Sequence, residues 1–430
     1  MIRTIAYDIT RLFVGPIFLT PRGIDRIDLA LARRVFADAD TRNLGILPTP
    51  WGMRAYPAAV VRTMLDRLEQ LWSEQVEPEH DPQLRWLVDH LRSPAAVRQA
   101  DAPRPARLAL GQKIARQLAM LATTGLPLGK PVRSAVPKGA VYVNIGQFGL
   151  VVRPFFNWLV DRRDVTCAIM LHDVIPIEYP HLVSATHVGN HTRMVETTAR
   201  HADCLIYNTH AARVSVEAAL RDFGRSGLPS LVRALPLQPA FEQVEASFAP
   251  LDGIDYCVVV STIEPRKNHA MLLEAWQHLI ARLGSAAPHL VIVGALGYDA
   301  VRTLGPLETD AALREKVHIV SGLSSPALAA LVLGARAMLC PSLAEGFGLP
   351  LLEAQALGVP TIASDIAAHR EVANGGAVLL DAADVMGWVD AIAGLPGAQG
   401  RGPIERSADL GEAAYCADVL GFLGDCRGSV

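Results

Sequence analysis

The chain has 430 residues, of which 50% are apolar and 19% are charged, a composition that excludes a disordered or fibrous protein. Its 40 basic and 43 acidic residues leave a net charge of −3, which argues against a protein that binds nucleic acid over its whole surface. The six cysteines form no Cys-x-x-Cys pair, so we expect reduced, mostly buried thiols in a cytoplasmic protein.

The N-terminal segment is apolar but lacks the features of a signal peptide. Asp8 and Arg11 interrupt it, and no cleavage site follows. Later uncharged apolar stretches, such as residues 139–152, are shorter than the ~18 residues that a membrane-spanning helix needs. We therefore expect a soluble protein.

Short β-branched segments alternate with helical stretches along most of the chain, a pattern typical of parallel sheets covered by helices on both faces. The strands predicted in the first half are Arg3–Tyr7, Val141–Ile145, Thr166–Leu171, Cys204–Tyr207 and Leu231–Leu235. Those predicted in the second half are Tyr256–Ser261, Leu290–Val293, Val317–Val320, Ala337–Cys340 and Pro360–Ala363. The simplest architecture is an α/β protein with two Rossmann-like domains facing across a cleft, joined by a linker over Pro236–Asp255.

Residues from about 53 to 138 interrupt this pattern and are predicted to form helices and Pro-rich loops rather than strands. Residues 85–133 include nine basic residues but only two acidic ones, Asp89 and Asp101. The stretch 104–130 is basic and amphipathic. Two interpretations are open: a solvated helix that covers the N-terminal domain, or a surface that docks onto anionic lipid.

Two adjacent cations follow the first predicted strand of the second half. Arg266 and Lys267 lie in a short loop, and Asn268 is a suitable N-cap for the helix that follows, because its side chain can accept a bond from an early helical N–H. Open α/β sheets bind ligands at the carboxyl ends of their strands, and helix N-termini favour anions. This segment therefore predicts a phosphate site.

A second strand–loop–helix segment carries two glutamates. Gly346 and Gly348 allow loop amides to face the cleft, and Pro350 suits a first helical turn. Glu345 lies on the loop, and we predict Glu353 in the first turn of the helix. Loop amides can hold a phosphate while carboxylates accept bonds from sugar hydroxyls. The alternative is that Glu353 only complements the helix dipole.

Polar residues also follow two strands of the first half. His172 begins a His-Asp pair at the carboxyl end of a predicted strand, and we interpret it as a functional residue facing the cleft, with Asp173 as a structural one. Asn208 and Thr209 follow the next strand. They either help to line the cleft or cap the helix after them.

Glu345 and Glu353, with seven residues between them, match the EX7E motif, and the chain resembles the retaining family 4 glycosyltransferases of the two-domain GT-B fold. The run STIEPRKNH followed by LLEAW is similar to the mannosyltransferase-B-like branch of bacterial surface-polysaccharide enzymes. The resemblance covers nearly all of the second half. In the first half it rests on PRGIDRIDLALARR, LHDVIPIEYP and CLIYNTHAARVSV, and residues 53–138 contribute nothing to it.

The resemblance implies a role for each matching residue. Arg266 and Lys267 would bind the donor diphosphate, and His172 would lie at the reacting sugar. Glu345 would contact the donor-sugar hydroxyls, and Glu353 would hold the ribose. The remaining donor contacts would come from Gly23 in the loop after the first strand, Gly322 and Leu323 at the base, and the amides of Gly346, Phe347, Gly348 and Leu349.

The resemblance also assigns the domains. Residues 1–240 would bind the acceptor, with the basic helical insertion at about 53–138, and residues 250–405 would bind the nucleotide sugar. A C-terminal helix at 406–430 would cross back to the first domain, although it lacks the family's usual tryptophan. Ser324–Ser325 is a second departure, because the family often has an acidic residue there.

The implied activity is retaining transfer of a sugar, mannose from GDP-mannose, to a saccharide or lipid-linked acceptor in surface-polysaccharide synthesis. We expect no metal or other cofactor. Asp38-Ala39-Asp40 spells the DxD pattern of metal-dependent enzymes but lacks its context, and no carboxylate pair is arranged as in a glycosidase. The alternatives are a UDP-sugar donor or a non-catalytic nucleotide-sugar-binding homologue. We expect no nucleic-acid partner and a cytoplasmic location. Contact with the inner face of the cytoplasmic membrane through the stretch 104–130 is one of the two interpretations left open for that stretch.

Overall fold

The computed structural model describes residues 4–17, 21, 23–38, 41–72, 76–93, 109–124, 129–244, 248–396 and 411–426. Asp40 of the DxD pattern and parts of the basic stretch 104–130 lie outside the described residues. The strands form two sheets, one of eight strands from the first half of the chain and one of six from the second.

The first sheet has the strand order β4-β3-β2-β1-β5-β6-β7-β8. Its strands are β1 (Ile5–Asp8), β2 (Leu44–Thr49), β3 (Gly52–Pro57), β4 (Lys130–Pro131), β5 (Val141–Asn144), β6 (Thr166–Met170), β7 (Cys204–Tyr207) and β8 (Ser230–Val232). The helices of this half are α1 (Thr10–Val14), α2 (Gly23–Val35), α3 (Ala58–Trp72), α4 (Pro82–Arg92), α5 (Leu110–Thr124), α6 (Val132–Ala135), α7 (Asn157–Val160), α8 (Ile175–Glu178), α9 (Ala185–His201) and α10 (His210–Asp222). The central strands β5, β6 and β7 are buried at every position, as expected of a parallel sheet covered on both faces.

The edge of this sheet corrects the sequence analysis, which predicted no strand after Tyr7 and before residue 139. β2 and β3 form an antiparallel hairpin, and β4 pairs with β3. Pro48, Pro57 and Pro131 lie in these strands and obscured them. Of these three strands, only β4 is an edge strand. Pro48 lies beyond the positions at which β2 pairs with β1, and Pro57 is the last residue of β3, so the missing amides are tolerated there.

The second sheet is entirely parallel, with the order β11-β10-β9-β12-β13-β14. Its strands are β9 (Tyr256–Val260), β10 (His289–Val293), β11 (Val317–Val320), β12 (Ala337–Cys340), β13 (Thr361–Ser364) and β14 (Val378–Leu380). The remaining helices are α11 (Pro239–Gln243), α12 (His269–Leu283), α13 (Ala300–Thr303), α14 (Pro306–Thr309), α15 (Ala311–Lys316), α16 (Ser325–Gly334), α17 (Leu349–Ala356), α18 (Ala367–Ala373), α19 (Val385–Gly394) and α20 (Glu412–Asp425). The predicted strands of this half agree with β9 to β13, whereas the short edge strand β14 was missed.

Helix α20 packs against the first half of the molecule. Asp418 forms an ion pair with Arg233 at 2.7 Å, and the Tyr415 hydroxyl lies 3.7 Å from the sulfur of Met170 in β6. All six cysteines are free and buried, as predicted. Among the described helices, none combines the length and apolar character that a bilayer crossing would require.

Candidate active site

The two predicted phosphate-binding cations lie just beyond the carboxyl end of β9. Arg266 and Lys267 end a short 3-10 helix, Pro265–Lys267, directly before α12. The expected capping role of Asn268 is wrong. Asn268 adopts a left-handed conformation with φ 57°, which turns its side chain away from the helix to donate to the carbonyl oxygen of Ala382 at 2.9 Å.

Glu345 holds both cations in one cluster. Its carboxylate accepts hydrogen bonds from the Lys267 ammonium, from Arg266 Nη1 at 3.1 Å and from Ser342 Oγ at 2.7 Å. Burial alone would raise the pKa of Glu345, but Lys267 and Arg266 hold that pKa well below its usual range. A second carboxylate, Glu264, pairs with Arg266 at 2.8 Å. Glu345 is therefore ionised, and its ion pairs hold the side chains of Arg266 and Lys267 in place.

The glycine loop after β12 packs closely against the first domain. A Cβ atom at Gly346 would lie 2.5 Å from the carbonyl oxygen of His172, so only glycine fits there. Gly348 has φ 104°, a conformation that also favours glycine, and α17 begins at the next residue. Pro350 occupies the first turn, as predicted, and Phe347 is buried.

Glu353 lies in the second turn of α17 rather than in the first, because the helix begins only at Leu349. The helix dipole acts mainly within the first turn, so this position weakens the interpretation that Glu353 only complements the dipole. The side chain is buried, and in the described part of the chain its Oε1 atom has no hydrogen-bond partner. Burial raises the pKa of Glu353 to about 7, against the opposing charge of Arg26. A buried carboxylate with an unused oxygen can accept a bond from a hydroxyl.

His172 lies two residues beyond the end of β6 and is buried. Its Nε2 atom is 3.2 Å from the carbonyl oxygen of Ile145, which can only accept, so we assign the proton to Nε2. Burial lowers the pKa of His172 to about 4, although the charge of Asp173 opposes this. Nδ1 is therefore an acceptor, and it has no partner among the described residues. Asp173 accepts a bond from the Ile175 amide at 3.1 Å, which agrees with a structural role.

Thr209 connects the two domains. Its hydroxyl accepts a bond from the Ala212 amide at 2.9 Å, which caps α10, and donates to the carbonyl oxygen of Gly346 at 2.9 Å. Of the two interpretations left open from the sequence, the helix cap is confirmed for Thr209, whereas this buried residue lines neither of the cavities described below. Asn208 is buried beside it.

Gly23 is the first residue of α2 and not a loop residue as predicted, because α1 already occupies part of the connection after β1. A Cβ atom at Gly23 would lie 2.7 Å from Leu349 Cδ1, so this glycine does allow the two domains to approach closely. Gly322 has φ 82° in the loop after β11, and Leu323 packs partly buried against the core.

Ser324 and Ser325, where the resemblance led us to expect an acidic residue, are contacted by the first domain. The Ser324 amide donates to Asp81 Oδ2 at 2.7 Å, and the Ser325 hydroxyl accepts from Arg26 Nη2 at 2.9 Å. Sequence reasoning missed both partners. Asp81 precedes Pro82, a helix-start signal, and indeed caps α4, but its second partner lies 243 positions away along the chain.

Two cavities meet the glycine loop. One of about 400 Å³ lies between the domains and is lined by Gly23, Arg26, Gln238, Ser324, Ser325 and Leu349, among others. A second of about 630 Å³ is lined by residues of both domains, including Asp173, Glu178, His210, Glu345 and Gly346. Within the described residues, no group of three or more His, Cys, Asp or Glu side chains could hold a metal ion.

The family described as "Glycosyl transferases group 1" matches residues 244–415. Over 218 residues, the chain is 28% identical to the serotype-specific mannosyltransferase WbdA of Escherichia coli, a match that covers 48% of this chain and 26% of WbdA. Over 130 residues it is 32% identical to O-antigen chain mannosyltransferase B of the same species, covering 30% of this chain and 34% of that protein. The matches thus span between a quarter and a third of these relatives' lengths.

Among solved structures, the chain is similar to an alpha,alpha-trehalose 6-phosphate synthase from Burkholderia multivorans, with a TM-score of 0.53 and 14% identity over 98% of both chains. At this identity the likeness concerns the fold alone. It confirms the predicted fold class, two α/β domains of the GT-B type, with the first sheet mixed at one edge.

Proposed function

We propose that the chain transfers mannose from GDP-mannose to a saccharide or lipid-linked saccharide acceptor in surface-polysaccharide synthesis, a proposal supported by the match of residues 244–415 to the group 1 glycosyl transferases. The names of the two mannosyltransferases support the sugar and the pathway. The observation that carries the proposal is the partly buried cluster of Arg266, Lys267 and Glu345. It adjoins the glycine loop, which packs at Gly346 against the His172 carbonyl of the other domain.

Charge develops on the departing diphosphate during sugar transfer. Arg266 and Lys267 supply positive charge for it, and the amides of Gly346 to Leu349 supply oriented donors at the start of α17. Glu345 fixes both cations, so little reorganisation is needed when the charge appears. Since these residues provide the stabilisation, the proposed reaction needs no metal ion.

The sugar and ribose would be held by acceptors of two kinds. Neutral His172 offers Nδ1, and Glu353 offers Oε1, each of which lacks a partner in the described structure. Retention of configuration follows if the acceptor hydroxyl attacks from the leaving-group face and a diphosphate oxygen takes its proton. The cavity of about 630 Å³, which reaches Glu345, would admit the acceptor.

We also propose that the protein contacts anionic membrane through α5. Leu110, Ile114 and Leu118 recur every four residues. Their exposed fractions are 75%, 51% and 58%, so they form an apolar stripe on the solvent side. Lys113 is exposed between them, and the sequence from 102 to 160 contains no acidic residue. An apolar stripe beside basic residues is the pattern that binds the interface of an anionic bilayer.

The test of the donor is thermal unfolding with GDP, UDP and ADP, followed by transfer assays with GDP-mannose, UDP-glucose and UDP-N-acetylglucosamine. A ligand at ~100 times its dissociation constant adds ~2.7 kcal/mol to the free energy of unfolding. Stabilisation by GDP and transfer from GDP-mannose support the proposal. Stabilisation by UDP alone would indicate a UDP-sugar as the donor in place of GDP-mannose. Nucleotide binding without any transfer would favour a non-catalytic homologue.

A further inference from the structure

Arg26 of the first domain reaches the second domain at the loop that precedes α16. It is the fourth residue of α2, and its side chain is partly buried between the domains. Nη2 donates to the hydroxyl of Ser325 at 2.9 Å, and Nη1 donates to the side-chain oxygen of Gln238. Neither contact was expected from the sequence, because the partners lie 299 and 212 positions away.

Arg26 borders a cavity whose volume lies within the ~300–1,000 Å³ of small-ligand pockets. The guanidinium lines the cavity of about 400 Å³, together with Ser324, Ser325 and Glu412. This cavity adjoins the loop at Gly322, where the resemblance expects the base. The charge of Glu353, the expected ribose partner, acts directly on Arg26.

The partly buried position of the Arg26 guanidinium is unfavourable unless a ligand or a carboxylate balances its positive charge. Burial lowers the pKa of Arg26, while Glu353, Asp25 and Glu412 oppose that shift. Its contact at Ser325 is with the first residue of α16, an end of the helix where the dipole favours anions and not cations. Binding of a polar ligand explains the position of Arg26 better than stabilisation of α16 does.

We propose that Arg26 is a specificity-determining residue that reads the guanine base of the donor, an inference that rests on the function proposed above. Guanine presents two adjacent acceptors, O6 and N7, which a guanidinium binds in a bidentate manner, whereas adenine pairs an acceptor with a donor at that edge. A guanidinium carries five N–H donors. In the described structure, Nη1 and Nη2 each make one hydrogen bond to a side chain, so each nitrogen retains an N–H for the base.

The test measures dissociation constants by calorimetry for GDP, 7-deaza-GDP and UDP, with the wild type, Arg26→Ala and the control Arg34→Ala. The 7-deaza analogue lacks only the N7 acceptor. Arg34 lies on the same helix at an exposed position and does not line this cavity, so the control removes the same charge away from the proposed base site. A bidentate contact is worth ~1–3 kcal/mol, so we expect Arg26→Ala to weaken GDP binding by ~5- to 150-fold.

Three results together support the inference. The wild type should bind 7-deaza-GDP more weakly than GDP, Arg26→Ala should bind the two equally, and UDP affinity should change by less than about threefold, since uracil lacks the paired acceptors. Equal losses for GDP and UDP in Arg26→Ala would overturn the inference, as would an unchanged preference for GDP. Wild-type protein that binds UDP and not GDP would instead overturn the proposed donor, so the two failures are distinguishable.

Discussion

The hydroxyl of Thr209, at the start of α10 in the first domain, donates a hydrogen bond to the carbonyl oxygen of Gly346 in the glycine loop of the second. Both residues are buried at this contact. The same hydroxyl caps α10. A local feature that stabilises a helix therefore also fixes the loop on which the proposed donor site depends.

Thr209→Val replaces this hydroxyl by a methyl group of similar size. We expect the free energy of unfolding to fall by ~1–3 kcal/mol, since a helix cap and a buried hydrogen bond are lost together. We also expect weaker nucleotide binding, because the loop loses its anchor. Thr209→Ser keeps the hydroxyl and is the matched control in denaturant unfolding and calorimetry. Equal stability of the valine and serine variants would show that the contact is energetically unimportant.

Asp81 offers a second test of coupling between the domains. Its carboxylate caps α4 through Oδ1 and accepts the Ser324 amide through Oδ2. Asp310 caps α15 through the same pattern of two early amides and lies outside the proposed donor site. In both Asp81→Ala and Asp310→Ala, loss of the cap should lower the free energy of unfolding by ~0.5–2 kcal/mol. The decrease should be larger for Asp81→Ala, because this variant also loses the buried contact with Ser324.

Nucleotide affinity separates these two variants. Only Asp81→Ala should weaken GDP binding, because only Asp81 positions the loop before Ser325. The dissociation constants of both variants, measured in parallel with the wild type, provide the comparison. Equal affinities in the two variants would contradict the role of Asp81 at this loop.

The raised pKa of Glu353 predicts a pH-dependent effect on stability. The folded protein holds this proton up to about pH 7, whereas the ordinary pKa is 4.5. Between these values the folded state binds more protons than the unfolded chain, so this group lowers the free energy of unfolding as the pH rises. Glu353→Gln should therefore raise Tm at pH 8 relative to the wild type and change it little near pH 4.5.

The same variant should bind nucleotide more weakly, since a carboxylate proposed to hold the ribose is lost. Glu274→Gln, at an exposed position of α12, is the control for both measurements. A Glu353→Gln protein with an unchanged Tm at pH 8 would contradict the buried, ionised carboxylate. An unchanged GDP affinity would contradict its proposed contact with the nucleotide.

The apolar stripe of α5 predicts binding to anionic vesicles. Ile114→Glu and Leu118→Glu place negative charge on the stripe, where both side chains are more than half exposed, so the fold should be preserved. We expect co-sedimentation with vesicles that contain phosphatidylglycerol to fall strongly in the double variant. Val301→Glu, at an exposed site of α13, is the control. Equal binding of all three proteins would exclude α5 as the docking surface.

The parts of the fold that follow from local pattern were predictable. Buried β-branched strands such as β6 and β7, and the strand–loop–helix segments that carry Arg266 and Glu345, are specified within about 20 neighbouring residues. The hairpin of β2 and β3 was not, because proline is acceptable in a strand only where its missing amide is not needed, and that position is a property of the folded sheet.

In the candidate site, too, some features were predictable from the local sequence and others depend on the folded structure. The identities of Glu345, Glu353 and His172 were accessible from the sequence, but their protonation was not, because burial and neighbouring charges set it. Asn268 illustrates a local rule that failed, since it occupies the N-cap position in a left-handed conformation and its side chain makes no capping bond. Arg26, Asp81 and the Thr209 contact depend on residues brought together only when the two domains meet.

The most direct test of the central claim is the turnover of Lys267→Ala in transfer from GDP-mannose. Lys267 is proposed to stabilise the departing diphosphate, and losing one such group costs ~100- to 1,000-fold in turnover. Lys130→Ala, at an exposed position of β4, is the control and should retain wild-type turnover. A folded Lys267→Ala protein whose turnover falls by orders of magnitude is the predicted result, and near-normal turnover would contradict the assignment.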